Sequence, residues 1–157
     1  NSELYKMWSS KGFLTLTDSE TTDYNYIQNQ IVYLYETFDI QGVFFDSWNA
    51  QMLVNNLTNL GLPMTAYSQS IGNFNKPTKE MERLVLSDKV RFDNNPITRF
   101  CFDNVELKVD INGNSKPVGD HNAKKIDGVI SMLNALGGYL SIVYGNQEAF
   151  VLPYKNS

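Results

Sequence analysis

The sequence predicts an α/β domain, and three observations carry that prediction. Apolar residues recur at helical spacing in three stretches, most clearly over 27–38 and 126–136. Short apolar runs, Ile40–Phe45 and "LPMTAYSQ", fall between and after them. Helix, strand, helix, strand in that rhythm is what a parallel strand pair with crossover helices produces. The chain has 157 residues, enough for one domain with a real core and too few for two comfortable ones.

Each element has a local reason. Ser2 to Trp8 reads as a short helical turn, and after Gly12 the threonine-rich "FLTLT" reads as strand-like. Ile27, Ile31, Leu34, Tyr35 and Phe38 form one face of an amphipathic helix, with Asp23 just ahead as its N-cap. Ile40 to Phe45 is the first strand. "NAQMLVNNLTNLG" follows as a helix through Leu53, Leu57 and Leu60 that Gly61 stops. Pro77 is expected to open the next helix, with Met81, Leu84 and Val85 facing one way and Lys79, Glu80, Glu82 and Arg83 forming a solvated face. Pro96 starts a shorter one. "VELKVDINGNSKP" alternates and then turns at "NGN", a strand entering a tight turn, and "VGDHNAKK" is a polar loop. The last strong helix carries Ile126, Val129, Ile130, Leu133 and Leu136 on one face, and the tail from Ser141 adds a short strand. No internal repeat or low-complexity segment interrupts the chain.

Composition narrows the function. The 13 basic and 17 acidic side chains give a net charge of −4, so no broad basic face advertises nucleic-acid binding, although a local patch or a metal can supply positive charge. A single cysteine and a single histidine exclude an internal disulfide and a zinc motif, and Cys101 reads as a small buried apolar residue. No run approaches membrane-span length, and no signal peptide opens the chain. It begins at "NSELYKMW" without a methionine and is expected to be a fragment of something longer.

Two acidic residues stand out. Asp46 ends the buried run "GVFF", where open α/β sheets place their chemistry and where a helix N-cap also begins. Asp127 opens the last helix, where the dipole alone favours a carboxylate. One acid at a strand end and one at a helix start can converge on a divalent cation, and hard oxygen ligands of this kind select Mg²⁺ or Mn²⁺.

Four stretches, "YKMWSSKGFLTLTDSETTDYNYI", "GVFFDSWNAQMLVNNLTNLGLP", "QSIGNFNKPTKEMERLVLSDKVRFDNNPITRFCFDNVELKVDINGN" and "KKIDGVISMLNAL", occur in this order. Together, to about Gly138, they resemble the C-terminal nuclease domain of the large terminase subunit of tailed bacteriophages. The resemblance rests on a tryptophan and glycine before a threonine-rich segment and on an aspartate–tyrosine pair opening a helix. It rests further on an aspartate-x-tryptophan-asparagine strand end, an asparagine–proline helix ending in asparagine–valine, and a lysine-isoleucine-aspartate-glycine helix. It implies a ribonuclease H-like fold, a mixed sheet flanked by helices, with residues 1–157 forming one nuclease domain. It also implies a metal-dependent endonuclease that cuts concatemeric viral DNA during genome packaging in the host cell cytoplasm. Its partners would be double-stranded DNA and, through the full-length protein, the portal and the small terminase subunit, with no membrane.

Carried over by position, Asp46 matches the acidic residue ending the central strand and Asp127 the one starting the last helix, both as Mg²⁺ or Mn²⁺ ligands. The family has another essential aspartate on a first strand upstream, which this chain is expected to lack. Asp23 matches the aspartate of the aspartate–tyrosine pair and is both the catalytic candidate for that missing ligand and a helix cap; Asp18 is a weaker substitute. Where the family commonly has a histidine, this chain has Phe92. The family's ATPase motor is not expected here, because no G-x-x-x-x-G-K-[ST] motif occurs.

His121, Lys124 and Lys125 are candidate DNA contacts beside Asp127, each also readable as ordinary surface. Lys108, Lys116 and the "DINGN" turn suggest a hairpin that approaches DNA, and Trp48 reads as a packing residue. The competing function is a catalytically incomplete ribonuclease H-like module that binds DNA or docks to the portal or motor.

Overall fold

The computed structural model describes residues 2–18, 20–46, 51–119 and 125–145. It begins with α1 (Ser2–Ser10), which buries Trp8 edge-on against Phe100, ring centroids 5.2 Å apart. The strand expected at 13–17 does not form, and Phe13 and Leu16 are exposed there. β-propensity describes a side chain's fit to a pleated, half-buried surface, and these residues have no ladder to join among those described.

Helix α2 (Tyr24–Thr37) is capped as the sequence predicts: Asp23 accepts a hydrogen bond from the Tyr26 amide at 2.9 Å. Its apolar face is only partly covered, since α2 buries no residue and Phe38 just beyond it is 61% exposed. Strand β1 (Val43–Phe45) leads through 46–50 to α3 (Gln51–Asn59), whose Leu57 is fully buried. Gly61, at φ +86°, ends that segment in a conformation that side chains resist. Strand β2 (Met64–Ala66) then pairs parallel to β1, Val43 opposite Met64 and Phe45 opposite Ala66. The parallel pair with a helical crossover is therefore present.

Helix α4 (Ile71–Leu86) corrects one expectation. Ser70, not Pro77, starts it: the Ser70 hydroxyl accepts from the Asn73 amide at 3.3 Å, and Pro77 lies inside the helix, fully buried. Proline has no N–H to give the carbonyl four residues back, here that of Asn73. Tyr67 fills the gap, its hydroxyl donating to the Asn73 carbonyl at 3.1 Å. Burial pushes the Tyr67 phenol up, so it stays protonated as a donor. Tyr67→Phe is expected to cost about 0.5–1.5 kcal/mol, the usual net worth of one hydrogen bond. In a Pro77→Ala background residue 77 regains an amide for that carbonyl, and the cost of Tyr67→Phe should shrink toward zero. Urea unfolding of the four proteins measures this, and an equal cost in both backgrounds would refute the bridging role.

Helix α5 (Pro96–Asp103) begins as predicted, with Pro96 at its first position and the Asn95 side chain accepting from the Ile97 amide at 2.9 Å. Strand β3 (Glu106–Val109) enters a turn organised by Asp110, whose carboxylate accepts from the amides of Asn112 and Asn114 and from the Asn114 side chain, each at 2.9 Å. These bonds, the Asn114 side-chain one foremost, hold the Asp110 carboxyl below its ordinary value. Strand β4 (Ser115–Val118) returns antiparallel with Lys108 opposite Lys116, forming the hairpin that the sequence suggests.

Helix α6 (Asp127–Gly145) runs through the centre, so Ser141–Gly145 is helical and not strand, while the remaining tail lies outside the described residues. Among the described residues, α6 alone is long enough and apolar enough by length and composition to cross a membrane, contrary to the expectation that no run reaches that size. In this fold its buried side packs on α4, α5 and β1. Val129 and Leu133 join Phe74 and the buried Cys101 as the core. The expected mixed sheet takes a divided form among the described residues. β1–β2 is a parallel pair and β3–β4 a separate antiparallel one. The hairpin docks on α4 instead, its Ser115 amide donating to the Asn75 side chain at 3.0 Å and Lys116 Nζ to the Gln69 carbonyl at 3.2 Å.

Candidate active site

Asp46 directly follows β1 and is exposed, and Asp127 is the first residue of α6 and is also exposed. Residues 127, 131, 134, 138 and 141 recur at spacings of three and four and so share one face of α6. That face meets β1: Gly138 lies so close to the Phe44 ring that a Cβ there would overlap it. Asp127 therefore stands on the β1-facing side of its helix.

Phe44 packs at Gly138, while Tyr67, just past the residue paired with Phe45, packs at Gly137 and against the cluster holding Leu133 and Val129. Asp46 follows the strand that meets α6 at Gly138, eleven residues beyond Asp127, or about 16 Å along the helix.

Helix geometry holds Asp127 in place. Its carbonyl accepts from the Ser131 hydroxyl at 2.9 Å, and the Asn104 side chain, capping the end of α5, donates to the Lys125 carbonyl at 3.4 Å. Gly128, next to Asp127, packs against Cys101 so tightly that a Cβ would stand 3.2 Å from its sulfur. Helix α5 thus braces the segment of α6 that presents Asp127.

The other predicted residues behave differently. Asp23 is engaged at the start of α2, and no three acidic, histidine or cysteine residues gather to hold an ion among the described residues, Asp23 included. Asp18 is exposed. Phe92, at the position of the family's histidine, stacks edge-on against Phe102 with centroids 5.2 Å apart. Lys125 is exposed, whereas His121, Lys124, Trp48 and Asn49 lie outside the described residues. Sequence reasoning missed Gly137 and Gly138. A glycine pair inside an apolar helix is a signal of close approach, and here it admits Tyr67 and Phe44.

A sequence model of the family described as "Terminase large subunit, endonuclease domain" matches residues 1–141. The chain is 31% identical over 138 residues to Protein YmfN of Escherichia coli strain K12, covering 86% of this chain and 30% of that relative. It is 25% identical over 135 residues to the terminase large subunit of Enterobacteria phage HK97, covering 85% of this chain and 27% of the relative. The crystal structure of the HK97 large terminase superposes with a TM-score of 0.77 at 25% identity, over 85% of this chain and 28% of that one. The chain thus spans under a third of the length of these relatives. With nine-tenths of its residues matched by one family, it belongs to the endonuclease domain family of the terminase large subunit.

Proposed function

We propose that this chain is a divalent-metal-dependent endodeoxyribonuclease of ribonuclease H-like type, the C-terminal nuclease part of a phage or prophage terminase. The observation that carries the reading is the match of residues 1–141 to the terminase endonuclease family, with exposed carboxylates just past β1 and at the start of α6 in support. Their chemistry fits the metal: two hard oxygen donors suit Mg²⁺ or Mn²⁺, and Mg²⁺ keeps several waters when bound by one or two carboxylates. Asp46 and Asp127 would hold the ion, and when bound it supplies activation of water and charge stabilisation at the scissile phosphate. Lys125 and, beside it, Lys124 and His121 would meet neighbouring phosphates.

The substrate is double-stranded concatemeric viral DNA, read mainly through its backbone, so binding weakens with salt and shows little sequence preference. In the full-length protein the partners are the portal and the small terminase subunit, and the setting is the host cell cytoplasm. A plasmid-nicking assay of the 157-residue chain tests the reading. Open-circle product should accumulate with Mn²⁺ or Mg²⁺ and vanish in EDTA. A folded chain that binds DNA with either metal and never nicks it would instead establish the incomplete binding module.

A further inference from the structure

Lys108 and Lys116 are directly opposed across the β3–β4 hairpin, and directly opposed side chains share one face of a sheet. Like charges so placed are destabilising. Glu106 and Asp110 flank Lys108 two residues away on that face, but the ion pairs among the described residues are Lys6–Glu3, Arg83–Glu80 and Arg99–Asp103, and none involves these lysines. Lys116 gives one hydrogen bond to the Gln69 carbonyl, which leaves two of its three N–H donors available. Lys108 is fully on the surface. In a chain of net charge −4, two cations held against each other are a costly arrangement unless an anion sits between them.

The hairpin's position says which anion. Its base follows Asn104, which is hydrogen-bonded to the Lys125 carbonyl two residues ahead of Asp127. Lys108 stands four residues from Asn104, about 13 Å along an extended chain. Duplex DNA advances about 3.4 Å per phosphate along each strand, so a phosphate lying at Asp127 has others about four steps away at the hairpin. The hairpin is anchored at two points: its Ser115 amide donates to the Asn75 side chain, and Lys79 Nζ ties its tip through the Gly113 carbonyl at 3.3 Å, while Leu107 and Pro117 face a cavity also lined by Met81 and Leu133.

We infer that Lys108 and Lys116 form a cross-strand phosphate clamp that holds the backbone of double-stranded DNA on its way to Asp46 and Asp127. This rests on the reading of the chain as a DNA-cutting domain and adds the surface that guides the duplex. The clamp has no counterpart in base recognition; it positions the substrate through two phosphate contacts.

The test measures binding of a fluorescein-labelled duplex by anisotropy in EDTA, across a salt series, for the 157-residue chain and its variants. Each phosphate contact contributes about 0.9 to the slope of log K against log salt. Lys108→Gln/Lys116→Gln should flatten that slope by about two and weaken binding roughly tenfold or more at low salt. Lys108→Gln alone, at an exposed position, should flatten it by about one. The paired arginine variant should restore it, and the thermal midpoint of the Lys108→Gln variant should not fall, because a repulsion has been removed. A double variant with the wild-type slope overturns the clamp while leaving the nuclease reading intact if the wild type still nicks DNA with metal. A wild-type chain that neither binds the duplex nor nicks plasmid overturns both.

Discussion

Asp127→Asn is expected to abolish metal-dependent nicking and to leave the fold standing. Loss of a residue that merely supports a metal ligand typically costs 10–100-fold, so loss of a ligand should exceed about a hundredfold. The stability cost is small by comparison. Asp127 is exposed, so its replacement opens no cavity, and what is lost is its favourable position at the start of α6, about 0.3–1 kcal/mol. For a domain of this size that is roughly 1–4 °C in the thermal midpoint. Asp46→Ala should behave alike, because Asp46 is an exposed side chain beyond the end of β1. Plasmid nicking and a thermal melt on the same preparations decide it. Retained cutting with a markedly lower midpoint would make Asp127 a helix-terminus residue and nothing more.

Gly138→Leu should cost about 3 kcal/mol, at the upper end of what overpacking a filled core does. Leucine is a better helix former than glycine by roughly 0.8 kcal/mol, so propensity alone predicts stabilisation. The neighbourhood reverses the sign. A Cβ at Gly138 already overlaps the Phe44 ring, and a leucine adds three more carbons toward β1. Gly72→Ala is the control: nothing lies within 4 Å of its would-be Cβ, and it should gain about 0.5–1 kcal/mol. Phe44→Leu in the same chain should relieve part of the Gly138→Leu cost. Since Phe44 is two residues from Asp46, Gly138→Leu should also lower cutting in whatever fraction remains folded.

Much of the fold was legible because its signals are local. Asp23, Asn95 with Pro96, and Gly61 mark ends of segments through bonds and backbone angles set within a few residues. The misreadings occur where a distant partner decides. Pro77 looked like a helix start because its missing amide is harmless there; only Tyr67, delivered by β2, makes it harmless seven residues in. The hairpin was legible at its turn, but the span of β4 was not, because "SKPV" contains a proline, which an edge strand tolerates. The strand-like pattern of 13–17 has no ladder to join. For the site, the positions of Asp46 and Asp127 at element ends could be read directly, whereas the packing of β1 on α6 depends on Gly138 receiving Phe44.

The Tyr67 bridge has a consequence for the order in which the domain comes apart. The first turns of α4 lean on a hydroxyl that belongs to the segment after β2, whereas its second half carries an unbroken ladder beyond Pro77. When the β1–β2 pair loosens, the early turns of α4 lose this donor and keep the hairpin's hold on Gln69 and Asn75. The weak point of the helix is then its buried proline, and opening should spread from there toward the N-terminal turns once the hairpin lets go.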